Sequence, residues 1–147
     1  PYTSIGKILV ERGELTSEGS SMQSLVAWLQ ADPQRGRELT WENKSYPFFR
    51  RLDMDGPQGA LAVPLIPGRS LAVDPRYHQM GMPIWVVAPG LKSFDGKPIK
   101  RLMIAHDTGS AIRGPVRGDF FWGSGATAGK FAGETKHLCD FYVLMPK

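Results

Sequence analysis

The sequence has 147 residues, of which 41% are hydrophobic and 22% charged, and its formal net charge is +4. This balance is typical of a globular domain and excludes a disordered chain. The longest apolar runs, such as 61–66 and 142–145, are strand-sized and exclude a membrane helix, which needs roughly 20 residues.

Residues 1–45 are predicted to form short helices. The apolar residues of Ser4–Arg12 follow a helical spacing. Ser21 begins a second amphipathic segment, and Asp32-Pro33 ends it and starts a third. Because each helix has only one apolar stripe, we expect this segment to pack on the rest of the chain.

Residues 46–147 have the composition of a small β-domain. Ten of the 12 prolines and most of the 17 glycines lie here, among short apolar runs. Asp95-Gly96 favours a tight hairpin turn, and Gly125–Lys136 is predicted as a short helix. The pattern indicates a mainly β fold, either a small barrel or a sandwich. The predicted strands are Tyr46–Leu52, Ala60–Leu65, Ser70–Val73, Pro83–Val87, Lys100–Asp107, Phe120–Trp122 and Phe141–Met145.

The segment 106–123 is the strongest candidate for a catalytic site. Asp107 follows an apolar run and therefore stands at a strand end, and Asp119 lies between Gly118 and three aromatic residues. A neighbouring glycine lets substrate approach closely. Aromatic neighbours exclude water, which helps a carboxyl group to keep the proton that a general acid needs. The aromatic rings also offer flat faces for sugars: Phe120, Phe121 and Trp122.

Structural roles account for some of these residues equally well. Asp-Thr-Gly at 107–109 is also typical of a turn in which the aspartate accepts backbone hydrogen bonds. Asp74, which precedes a proline, favours a turn in the same way. The basic side chains either steady a carboxylate or remain on a solvated surface: Arg76, Arg113 and Arg117.

Other kinds of site match the sequence less well. Asp-Thr-Gly occurs in aspartic proteases, but a second such motif is absent, so a protease would require a homodimer. The three histidines lack the spacing of metal ligands, and no metal is predicted. Cys139 and His137 could form a nucleophilic pair, although a buried strand cysteine is the simpler interpretation. No nucleic-acid-binding motif accompanies the basic residues, so no nucleic-acid partner is predicted.

The runs Arg101–Gly114 and Arg117–Gly123 closely resemble the membrane-bound lytic murein transglycosylase A family. Further segments resemble that family in the same order: 2–7, 21–24, 62–65 and 68–74. The resemblance covers essentially the whole chain. It implies a six-stranded double-psi β-barrel, called the 3D domain after three aspartates, which match Asp74, Asp107 and Asp119 here.

The resemblance also implies an activity. The family's enzymes are exo-acting carbon–oxygen lyases that cut the β-1,4 bond between N-acetylmuramic acid and N-acetylglucosamine in peptidoglycan glycan strands and leave a 1,6-anhydro sugar. Asp119 matches the catalytic acid, which also acts as base, and Asp107 would support it. No metal or organic cofactor is implied. The supporting or substrate-binding residues would be Asp74, Thr108, Gly109, Arg113, Phe121 and Trp122.

Two departures from the family are visible. The family's proteins are longer, so we expect a fragment that lacks an N-terminal part, a second groove-forming domain and a possible lipid anchor. Ser110 stands where the family pattern has glycine. The family's location implies a periplasmic protein at the outer membrane. The alternatives are a non-catalytic glycan-binding barrel and a cellulase-like hydrolase.

Overall fold

The computed structural model describes residues 2–49, 51–53 and 56–146. The chain divides into two units, Pro1–Leu52 and Asp53–Lys147. The division therefore falls somewhat later than the change in composition after residue 45. None of the helices in the described ranges is long and apolar enough to cross a membrane.

The first unit contains the three helices that the sequence predicts: α1 Ile5–Glu11, α2 Met22–Ala31 and α3 Pro33–Trp41. The side chains of Ser4 and Ser21 accept hydrogen bonds from backbone N–H groups in the first turns of α1 and α2. Asp32 caps α3 in the same way, and Pro33 occupies its first position. Local capping chemistry thus sets all three helix starts.

The predicted strand Tyr46–Leu52 is wrong for the residues that the structure describes, since 46–49 and 51–52 have no strand conformation. Its aromatic side chains are more than 80% exposed: Tyr46, Phe48 and Phe49. An apolar alternating run becomes a strand only when another strand supplies hydrogen-bond partners. Strand propensity alone was therefore misleading here.

The second unit contains one mixed sheet of five strands: β1 Ser70–Val73, β2 Pro83–Lys92, β3 Pro98–Asp107, β4 Gly118–Phe120 and β5 Asp140–Val143. Their order across the sheet is β4-β1-β3-β2-β5. Strands β1 and β3 are parallel, and the other pairs are antiparallel. One helix, α4, spans Ala126–Glu134.

The sheet curls so that its two edges approach each other. A Cβ atom added to Gly118 in the edge strand β4 would lie 2.8 Å from Cζ of Phe141 in the opposite edge strand β5. The buried side chains alternate along β2 and β3 and face the inside of this curve, as half-buried strands require. They form one core with Leu71, Val73 and Trp122.

The fold is mainly β, as predicted, but the described residues form five strands rather than six. The predicted strand Ala60–Leu65 is a turn segment with a single bridge between Gln58 and Pro64. Ala62 has a positive φ of 59°, a conformation that a continuous strand does not contain. The hairpin at Asp95-Gly96 is confirmed, with Gly96 at a φ of 77°.

Candidate active site

Strand pairing places Asp107 and Asp119 on one face of the sheet. Ala72 in β1 is the register partner of Asp107 in β3 and of Asp119 in β4. Side chains of paired residues project to the same face, and neighbouring strands lie roughly 4.8 Å apart. The two aspartate backbones are therefore about 10 Å apart, with Ala72 on the strand between them.

A β-bulge aims Asp107 at this face. Leu71 opposes Ala105, whereas the next residue, Ala72, opposes Asp107, so that His106 is the additional residue. Nδ1 of His106 lies 2.8 Å from Oγ of Ser70. The same oxygen accepts the backbone N–H of Ile66, so Ser70 connects the additional residue His106 to the start of β1.

The two carboxylates border a cavity of about 200 Å³. Thr108 and Phe121, two of the residues that the resemblance marks as supporting or substrate-binding, line it. Leu65 and Ile112 supply apolar walls. A cavity with two carboxylates and mostly apolar walls suits a small polar ligand such as one sugar ring.

One oxygen of Asp107 has a fixed partner. Its Oδ1 accepts the backbone N–H of Ala60 at 3.1 Å. The neighbouring Gly59 packs so closely on β3 that a Cβ atom there would lie 2.5 Å from the carbonyl oxygen of His106. The segment around residue 60 is thus a turn and not the predicted strand, and its backbone orients Asp107.

Asp119 is more exposed than its aromatic neighbours led us to expect. Its side chain is 55% exposed, and its Oδ1 lies 2.9 Å from Nη2 of Arg117. Phe120 packs against the core instead, because alternate residues of a strand face opposite sides. Asp119 is therefore accessible to substrate, and the described residues do not shield it from water.

Asp74, the third aspartate, has a structural position. It is completely buried and bonds the Arg76 side chain at 2.6 Å and the Gly114 backbone N–H at 2.8 Å. The Arg76 guanidinium, together with the backbone N–H groups of Gly114 and Arg76, holds the pKa of the Asp74 carboxyl well below its usual range. Asp74 thus fixes the loop that connects Asp107 to Asp119.

His78 holds the same loop and was missed in the sequence. It is buried, and its Nε2 donates a hydrogen bond to the carbonyl oxygen of Pro115 at 2.6 Å. Its position five residues after the end of a predicted strand carried no recognisable signal. The loop from 108 to 117 is therefore attached at two consecutive residues, Gly114 and Pro115.

The remaining predicted residues lie outside the cavity walls named above. Trp122 is 4% exposed, packs among aromatic rings and donates its indole N–H to Thr135. Its ring is therefore a core element, not the exposed sugar platform that we expected. Arg113 is exposed on the loop, and Gly109 packs beside Ile112.

The geometry gives little support to a cysteine nucleophile or to a metal site. Cys139 is half-buried, and burial raises the pKa of its thiol, which disfavours the nucleophilic thiolate. Within the described parts of the chain, no three His, Cys, Asp or Glu side chains are grouped as metal ligands would be.

Comparison with known proteins identifies relatives of this chain. A family profile of the 3D domain matches residues 69–145, and one of the MltA specific insert domain matches residues 1–50. Membrane-bound lytic murein transglycosylase A of Escherichia coli (strain K12) is 37% identical over 147 residues, which are 97% of this chain and 40% of that protein.

Two solved structures extend the comparison. A membrane-bound lytic murein transglycosylase from Agrobacterium tumefaciens has a TM-score of 0.85 and 47% identity, over 99% of this chain and 40% of that one. E. coli MltA with bound chitohexaose has a TM-score of 0.87 and 33% identity, over 100% of this chain and 45% of that one.

The curled five-stranded sheet, with one aspartate directly after β1, one at the end of β3 and one in β4, is a 3D domain. The chain belongs to the membrane-bound lytic murein transglycosylase A family. It spans about 40% of the length of the curated relative described above.

Proposed function

We propose that the protein containing this chain is a lytic transglycosylase, which cuts the bond between N-acetylmuramic acid and N-acetylglucosamine in peptidoglycan. The supporting observation is the placement of Asp107 and Asp119 on both sides of Ala72, at the border of one cavity. The relatives named as lytic murein transglycosylases and the chitohexaose bound to one of them support the same substrate class.

Asp119 acts first as acid and then as base. Its carboxyl proton goes to the glycosidic oxygen, and the bond from that oxygen to C1 of the muramic acid breaks. The C6 hydroxyl oxygen of the same sugar then bonds to C1 and gives its proton to the Asp119 carboxylate. The carboxyl group is restored, no water is consumed, and the product is a 1,6-anhydro sugar.

This reaction needs one acid–base group, because the nucleophile belongs to the substrate. Intramolecular attack replaces an activated water at a high effective concentration. Asp107, with its Oδ1 held by the Ala60 backbone, stabilises the positive charge that develops at C1. Thr108 and Phe121 contact the sugar from the cavity wall, and Gly109 lets the turn after Asp107 approach it closely.

An inverting hydrolase is the second candidate. It would place its two carboxyl groups about 6.5–9.5 Å apart, with water between them. The two-strand separation of Asp107 and Asp119 suits that spacing. The two reactions differ in their products, since hydrolysis leaves reducing ends and transglycosylation leaves anhydro ends.

The longer protein would complete the site. An insert domain interrupts its host domain, and residues 1–50 match such an insert. We therefore propose that a further segment supplies a sixth strand of a double-psi barrel, and that a second groove wall covers Asp119. The proposed location is the cell envelope, in the periplasm at the outer membrane, with a lipid anchor outside these residues.

The test is product analysis by mass spectrometry after incubation with purified peptidoglycan. We would assay the chain itself and a chimera in which it replaces the matching segment of the E. coli relative. Release of 1,6-anhydro-muropeptides that stops in Asp119→Asn supports the proposal. The matched control is Asp140→Asn, an exposed strand carboxylate away from the cavity, which should change nothing.

Three outcomes contradict the proposal. Reducing-end products favour the hydrolase. Binding of glycan without products from the folded chimera favours a non-catalytic binding module. Full activity of Asp119→Asn would remove this residue from the mechanism.

A further inference from the structure

A second and larger cavity lies on the other side of Asp119. Its volume is about 410 Å³. It is bordered by β4 and by the segment between the end of α4 and the start of β5. Asp119 and Phe120 line both cavities, so Asp119 stands between them.

The wall of this second cavity is rich in positively charged and donor groups. Arg117 and Lys136 contribute two cations, and His137 contributes an imidazole. Nδ1 of His137 accepts the backbone N–H of Lys136 at 3.2 Å, so its Nε2 is the protonated donor. Among the described residues of the wall, Asp119 is the single carboxylate. Such a set of groups favours an anionic ligand.

Arg117 is paired with Asp119, but the pair is easily exchanged. The side chains are 53% and 55% exposed, and an ion pair in contact with water is weak. A guanidinium binds any carboxylate through the same planar fork of N–H groups. A carboxylate entering the second cavity would therefore compete with Asp119 for Arg117.

The substrate class of the proposed function carries such carboxylates close to the scissile bond. N-Acetylmuramic acid bears a lactyl ether on C3, and an acidic peptide stem extends from it. The sugar ring and the stem belong to one residue of the glycan, so the two cavities beside Asp119 suit the two parts of one ligand.

We propose that the second cavity binds a carboxylate of the muramyl peptide stem, and that Arg117 exchanges Asp119 for it. This inference rests on the proposed function. The exchange frees the carboxyl group of Asp119 to reach the glycosidic oxygen when a muramyl peptide is bound. A neutral glycan leaves the Arg117–Asp119 pair in place, so the ion pair selects substrate by charge.

The test is isothermal titration calorimetry of the 147-residue chain at low salt. The ligands are a tetrasaccharide muropeptide and the same compound with its carboxylates converted to amides. We expect the charged ligand to bind about tenfold tighter, which corresponds to one charge-assisted contact. Equal affinity, or no binding of the charged ligand, overturns the proposal.

Single substitutions test which side chains cause the preference for the charged ligand. Arg117→Gln should abolish the preference for the charged ligand, and Lys136→Gln should reduce it. The matched control is Lys130→Gln, an exposed lysine of α4 outside the wall, which should keep the preference. A preference that survives Arg117→Gln would show that the anion binds elsewhere.

Asp119→Asn, measured by calorimetry and by mass spectrometry of the products, separates this inference from the proposed function. Asp119→Asn should keep or increase the preference, because Arg117 loses its competitor, while anhydro products disappear. Anhydro products from a parent chain or chimera without any charge preference would leave the proposed function intact and refute only the second cavity's role.

Discussion

Asp74 and Asp119 lie at one strand pair, where Val73 of β1 pairs with Gly118 of β4, yet their surroundings are opposite. Asp74 is completely buried, and both of its oxygens accept hydrogen bonds. Asp119 is exposed, and among the described residues its ion-pair partner is the equally exposed Arg117. The same side chain thus has two different roles. The buried carboxylate, with both oxygens hydrogen-bonded, fixes the backbone, whereas the exposed carboxylate remains available to a substrate.

The largest expected effect is the loss of activity in Asp119→Asn. An amide cannot deliver and recover the proton, so the rate of anhydro-muropeptide release should fall by at least about 100-fold. The free energy of unfolding should stay within about 0.5 kcal/mol, because the side chain is exposed. Rates from product mass spectrometry and urea unfolding monitored by circular dichroism check both parts.

Asp107→Asn gives the contrast within the site. It keeps the shape of the side chain and loses the charge, so we expect about a tenfold loss of activity. A loss as large as that of Asp119→Asn would assign the proton transfer to both carboxylates and favour the hydrolase.

Asp74→Asn should reverse the pattern and affect stability first. The amide loses the charge that pairs with Arg76 and places donors against the Gly114 N–H, so the Tm at pH 7 should fall by several degrees. Thermal unfolding by circular dichroism measures it. If Asp74→Asn keeps the parental Tm but loses activity, Asp74 belongs to the catalytic machinery.

The pH dependence sharpens the same contrast. The pKa of Asp74 is lowered in the folded state from its ordinary value of 3.8, so folding favours the ionised form. Its stabilising contribution is present above about pH 4 and is lost as the pH falls through the lower, folded-state value. Asp74→Asn should therefore show a smaller loss of Tm between pH 5 and about pH 2 than the parent chain. Parallel curves would contradict this assignment.

Gly59→Ala tests the turn segment that orients Asp107. The added Cβ atom would meet the carbonyl oxygen of His106, so the segment must shift, at a cost of about 1–3 kcal/mol in the free energy of unfolding. Activity should fall as well. Gly129→Ala in α4 is the control, since its Cβ atom meets nothing within 4 Å and should stabilise the helix slightly. Equal unfolding curves for the two variants would refute the packing argument.

The smallest expected effect is that of Ser110→Gly. Ser110 occupies the position where the family pattern has glycine, but its side chain is exposed and is not part of the walls of either cavity. We expect less than a twofold change in activity in the product assay. A larger gain would show that Ser110 limits access to Asp107.

The sequence alone determined the local features of this protein. The helix starts at Ser21 and at Asp32-Pro33 and the Asp95-Gly96 turn depend on neighbouring residues, and the structure confirms these elements. The motif around Asp107 and Asp119 indicated the family, because short runs of residues carry that resemblance.

Only the tertiary structure decided which residues face the cavities. The pairing of Ala72 with both aspartates, the bulge at His106 and the burial of Trp122 all depend on contacts between distant parts of the chain. Strand propensity does not depend on such contacts. For this reason Ala60–Leu65 was predicted as a strand, whereas the structure shows a turn that orients Asp107. The sequence shows only where Asp107 and Asp119 lie along the chain, whereas the strand register brings their side chains to one face of the sheet.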